Sequence, residues 1–94
     1  MDDNTNLILK GIELSSQGRY EEAIQCYDQA LAINPNDKDG WHVKGDALNN
    51  LGKYEEAITC YDFAISVSPH DDTWLMKGIV LNKINRHQEA SVCF

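Results

Sequence analysis

Basic side chains are scarce in this chain: eight Lys and Arg stand against fifteen Asp and Glu in 94 residues, a formal charge of −7. Holding a phosphate backbone takes clustered cations. Here they are scattered singly, which argues against nucleic acid. No apolar run approaches the roughly 18 residues that a membrane span needs, so no membrane role is expected. A Gly-rich phosphate loop is missing, and so is any C-x-x-C pair of the kind that holds zinc. The opening MDDNTN is acidic and polar, the wrong chemistry for a secretory signal, and a cytoplasmic protein is expected. An acidic surface favours basic partners.

Catalytic constellations are lacking as well. Ser15 and Ser16 have no base in the same motif. The acid pairs Glu21-Glu22 and Glu55-Glu56 open helices, where the macrodipole favours them. Asp39, His42 and Asp46 fall at i, i+3 and i+7, a set that could ligate a divalent ion. No second cluster completes a shell, so they read as a polar surface without metal. Neither an enzyme nor a cofactor is expected. His70 and His87 read as ordinary surface or packing histidines.

What the chain has is a beat. Gly11, Gly45 and Gly78 sit at near-equal spacing, and Ala23, Ala57 and Ala90 each follow twelve residues later. Residues 18–30 read GRYEEAIQCYDQA and residues 52–64 read GKYEEAITCYDFA, with ten of thirteen positions identical at a step of 34. A weaker copy, RHQEASVCF, occupies 86–94 after a step of 33. Such a period means stacked helical units. Cys26, Cys60 and Cys93 fall at equivalent places. Stacked helices hold such atoms on the order of 10 Å apart, too far for a disulfide, so they read as packing residues.

Helical spacing and turn punctuation predict six helices, over 5–17, 20–33, 38–51, 54–67 and 72–84, with a sixth beginning near His87 and cut off at Phe94. Gly18 and Gly52 turn the chain inside each pair. Asn85 takes that place in the third pair, since Asn tolerates the left-handed conformation better than most residues. The repeats run 4–37, 38–70 and, in part, 71–94, in a single domain. A glycine inside a helix costs about 1 kcal/mol against alanine, so the three need a reason. Each is read as facing an alanine of the next helix to allow close approach. Tyr27, Tyr61 and Phe94, with Trp41 and Trp74, are read as filling the space between hairpins.

These residues closely resemble the tetratricopeptide repeat family. The middle copy gives Trp41, Gly45, Leu48, Gly52, Tyr54, Ala57, Tyr61, Ala64 and Pro69. The first gives Leu7, Gly11, Leu14, Gly18, Tyr20, Ala23, Tyr27, Ala30 and Pro35, and the third Trp74, Gly78, Leu81, Ala90 and Phe94. Lys10, Lys44 and Lys77 depart from the usual Leu, and Leu7 from the usual Trp. The resemblance implies an all-α, right-handed superhelical solenoid of antiparallel helix pairs, about two and two-thirds repeats long. It also implies a concave groove, lined by the first helix of each pair, that receives an extended peptide or a helix.

Carried onto this sequence, that groove is Thr5, Ile8 and Ile12, then Asp39, His42, Asp46, Asn49 and Asn50, then Leu75, Ile79 and Asn82. Ser15, Ser16, Asp72 and Lys83 share the face. The basic clamp by which some co-chaperone members hold a C-terminal carboxylate would need Lys and Asn at Ile8 and Ile12, Asn at Val43, and Lys and Arg at Asp72 and Met76. All are absent, so that ligand is not expected. Apolar ends around an acidic, amide-rich middle suit a scaffold or adaptor whose partner is a protein segment with apolar anchors and a Lys or Arg. The alternative is self-assembly, a homo-oligomer stacking through Leu75, Val92 and Phe94 at the C-terminal end.

Overall fold

The computed structural model describes residues 3–69 and 72–93, with side chains through Asn85. Among these residues there are five helices and no strand: α1 (Asp3–Ser16), α2 (Tyr20–Ile33), α3 (Lys38–Asn50), α4 (Tyr54–Val67) and α5 (Thr73–Cys93). His70, Asp71 and Phe94 lie outside the described residues, as does the side chain of Val92.

Local chemistry sets the helix ends. Gly18 and Gly52 adopt φ of 80° and 79°, the left-handed region that a side chain disfavours. Each closes its first helix the same way. Arg19 N donates to Leu14 O and Gly18 N to Ser15 O, both at 2.9 Å, while Lys53 N and Gly52 N repeat the pattern on Leu48 O and Asn49 O. Asp37 then caps α3, its Oδ1 accepting from the backbone N–H of Asp39 at 3.0 Å and Gly40 at 3.2 Å.

The third pair differs from the expectation. A break at Asn85 and a sixth helix were predicted; instead α5 runs unbroken to Cys93. No residue but glycine has positive φ among those described. Asn85 must give up a helical hydrogen bond and enter the left-handed region to turn the chain, a cost that glycine largely avoids. Continuing the helix is the local choice.

α1 pairs with α2, α3 with α4, and α2 carries α3 and α4 carries α5. Ala23, Ala47, Ala57, Ala30, Ala64, Tyr61 and Val80 are fully buried at these crossings, with Tyr27 almost so. Ile24 packs against both core clusters and joins one pair to the next. Cys26 and Cys60 are buried free thiols, and burial pushes the Cys60 thiol up from 9.0 to about 11.

Two readings of the core need correcting. The glycines clear space for tyrosine rings rather than for alanines. A Cβ on Gly45 would lie 2.6 Å from the Tyr61 ring, and one on Gly11 would strike Tyr27. Alanine has no reach beyond Cβ, whereas the ring sixteen residues on projects across the helix pair. Trp74 does not fill an inter-hairpin space either, being 54% exposed, while Trp41 is half-buried and stacks on Phe63 with centroids 4.6 Å apart.

The unusual lysines stitch repeat to repeat. Lys44 reaches Asp28 of the preceding pair at 2.6 Å and covers Trp41 at 5.7 Å. Lys77 does the same with Asp62, at 2.6 Å, and Trp74, at 5.6 Å. Each Trp indole N–H donates to the carbonyl of the loop proline, Pro35 at 2.8 Å and Pro69 at 3.0 Å.

Candidate functional site

Stacking brings the exposed faces of α1 and α3 side by side. Two adjoining hollows follow. One, of about 310 Å³, is lined by Thr5, Ile8, Leu9, Ile12, Asp37, Asp39, His42 and Val43. The other, of about 280 Å³, is lined by Ile12, Ser15, Ser16, Tyr20, Tyr27, Val43, Asp46 and Asn50. Ile12 and Val43 border both and form the ridge between them.

The sequence-derived groove residues Thr5, Ile8, Ile12, Asp39, His42, Asp46 and Asn50 therefore come together. Ile8 is buried and forms part of the floor. Asn49 is engaged elsewhere: its Oδ1 accepts from Lys83 Nζ at 3.0 Å, tying α3 to α5. Leu75, Ile79 and Asn82 line neither hollow; Leu75 is 65% and Ile79 40% exposed on α5. Leu9, Val43, Tyr20, Tyr27 and Asp37 were not named among the groove positions. The glycines held the signal for Tyr27, since a gap on the first helix admits a ring from the second.

Asp46 is the electrostatic centre. Its Oδ1 accepts from the Tyr61 hydroxyl at 2.5 Å, and its Oδ2 lies 3.3 Å from His42 Nε2. His42 Nδ1 in turn is 2.9 Å from the hydroxyl of Thr73, which is fully buried at the start of α5. The run Tyr61–Asp46–His42–Thr73 thus spans α4, α3 and α5 under the groove. Burial raises the Tyr61 phenol well above its usual range, and its hydrogen bond to Asp46 and the Asp46 charge push it further. Tyr27 is pushed up to about 12, first by burial and then by the same charge, with a Ser15 hydrogen bond opposing. Both phenols are hydroxyl donors at neutral pH. Among the described residues no group of three His, Cys, Asp or Glu is placed to hold a metal ion. No helix among these residues is long and apolar enough to cross a membrane.

This architecture has relatives. Two tetratricopeptide repeat models match the sequence, one over residues 7–37 and the other over 26–59. Together they span more than half of the chain, which belongs to the tetratricopeptide repeat family. Comparison with curated proteins gives no significant match. Among solved structures, the second tetratricopeptide domain of Spaghetti (RPAP3), bound to the HSP90 peptide SRMEEVD, superposes with a TM-score of 0.85 at 22% identity, over 96% of this chain and 84% of that one. The Sgt2 tetratricopeptide domain of Aspergillus fumigatus gives 0.86 at 22% identity, over 94% and 59%. MamA of Desulfovibrio magneticus RS-1, from residue 41 to its end, gives 0.84 at 28% identity, over 96% and 51%, so the chain spans about half the length of that solved chain. The first two likenesses are of fold alone.

Proposed function

We propose that the chain is a protein–protein interaction module that receives an extended or helical segment along α1 and α3. The segment carries one or two apolar anchors and a Lys or Arg. The carrying observation is the pairing of an apolar ridge, Ile12 and Val43, with carboxylates on its α3 flank, Asp39 and Asp46, in two adjoining hollows. Apolar anchors fill the hollows, and the cation reads the carboxylates. Binding of a peptide by the similarly folded Spaghetti domain supports the class of ligand. Its charge argues for a different sequence: an acidic segment such as SRMEEVD would meet Asp39 and Asp46, with no Lys or Arg among the residues that line either hollow.

Fluorescence polarisation with peptides of matched apolar content and opposite charge tests this. Basic peptides are expected to bind at least about tenfold more tightly, a difference near 1.4 kcal/mol, and Asp46→Lys to abolish the preference. Equal or better binding of acidic peptides overturns the reading. Self-assembly is favoured by a separate observation on α5, argued next.

A further inference from the structure

In each complete repeat a ring covers the glycine sixteen positions before it: Tyr27 over Gly11 and Tyr61 over Gly45. Gly78 holds the same register on α5, and among the described residues nothing lies within 4 Å of where its Cβ would stand. The hole has been made and the knob has not arrived.

The walls of that hole match one particular knob. In the second repeat the ring lies between His42, centroids 5.7 Å apart, and Asp46, which accepts its hydroxyl at 2.5 Å. At the corresponding places α5 carries Leu75 and Ile79, both apolar and exposed. The ring that the motif supplies, at position 94, is Phe rather than Tyr. Acceptor and hydroxyl have been lost together. Residues 86–94 also keep the alanine and cysteine of the second-helix motif, as Ala90 and Cys93.

The helix bearing that motif does not turn back. α5 is continuous from Thr73 to Cys93, so position 93 lies about 22 Å along the axis from Gly78 at 1.5 Å per residue. It cannot cover its own socket. A second copy can, and with the same geometry the exchange is mutual.

We infer that two copies of this chain exchange residues 86–94 reciprocally, each seating its second-helix motif on the Leu75, Gly78 and Ile79 socket of the other. The interface reproduces contacts already used within the first two repeats, so a swap creates a dimer without inventing a new surface. It is separate from the groove on α1 and α3.

Sedimentation of the full chain over a concentration series, with Asn85→Gly and Ile79→Glu, tests the exchange. The unaltered chain is expected to pass from monomer to dimer. Asn85→Gly restores the turn residue found at Gly18 and Gly52, lets the segment fold onto its own socket, and is expected to weaken dimerisation at least about tenfold. Ile79→Glu is expected to weaken it similarly with helicity by circular dichroism unchanged. A chain that stays monomeric throughout the series overturns the inference. So does an Asn85→Gly chain that dimerises as tightly as the original, because stacking without exchange would not depend on the turn.

Discussion

Gly45 and Gly78 occupy the same register on α3 and α5, yet one is sealed beneath a fully buried ring and the other is open among the described residues. Around Gly45, α4 returns across α3 because Gly52 can take φ 79°. Around Gly78, α5 continues through Asn85. A glycine in these helices is therefore half of a knob-and-hole pair. Its energetic meaning depends on whether a turn seven residues downstream brings the knob back.

The sharpest way to break that comparison is to add one methyl group at each site. In Gly45→Ala the new Cβ would lie 2.6 Å from the Tyr61 ring, which has no room to retreat. Overpacking of this kind costs about 1–3 kcal/mol, and the helix-propensity gain of about 1 kcal/mol offsets only part of it. A net loss of up to about 2 kcal/mol is expected, a fall in Tm of up to roughly 10 °C for a domain this small. Gly78→Ala meets no described residue and is expected to gain up to about 1 kcal/mol. The comparison belongs in denaturant titrations at concentrations where the chain is monomeric. Equal losses at both sites would mean that the Gly78 socket is already filled within one chain.

Much of the fold was legible because its signals are local. The reading of 20–33 and 54–67 as helices matches α2 and α4 residue for residue. Gly18 and Gly52 stop the chain by themselves, and Asp37 caps α3 with its own side chain. The turn at Asn85 was not legible. There the choice lies between a left-handed Asn stabilised by packing and one more helical turn, a margin of about 1–2 kcal/mol that no short window contains. The candidate groove divides along the same line. Ile12, His42 and Asp46 could be placed because two consecutive first helices share one face, whereas Leu75 and Ile79, carried onto the next first helix by the same register, line neither hollow.

A smaller effect sharpens the comparison through Asp46, which accepts from the Tyr61 hydroxyl in the second repeat and whose place on α5 is taken by Ile79. Tyr61→Phe removes the hydroxyl that donates to Asp46 at 2.5 Å, and a loss of about 1 kcal/mol is expected, because half-exposed Asp46 recovers part of the bond from water. The phenol's pKa is raised on folding, so its stabilisation is complete below the unfolded value near 10 and is lost as pH rises through the folded one. Cys60, raised from 9.0 to about 11, and Tyr27, raised to about 12, act in the same direction. Urea midpoints are expected to hold steady to about pH 9 and then fall toward pH 12, less steeply in Tyr61→Phe. A flat profile would mean that these groups are reached by water in the folded chain.

The smallest effect separates the two repeats most finely. Lys44 and Lys77 make the same contacts, an Asp of the preceding pair at 2.6 Å and a Trp ring within 5.7 Å. Half-exposed ion pairs contribute about 0–1 kcal/mol, so Lys44→Met and Lys77→Met are each expected to cost less than about 1 kcal/mol. The indoles differ in what else holds them. Trp41 remains stacked on Phe63 when Lys44 is gone, whereas Trp74 is 54% exposed and, among the described residues, has no ring stacked on it beside its hydrogen bond to the Pro69 carbonyl. Removing Lys77 is therefore expected to shift and depolarise tryptophan emission more than removing Lys44, with Trp41→Phe and Trp74→Phe backgrounds assigning the signal. Asp28→Asn and Asp62→Asn complete double-mutant cycles whose coupling should shrink together with added salt. Equal optical responses at the two sites would show that Trp74 is covered in solution as Trp41 is, and would place a partner surface, or a second chain, against the outer side of α5.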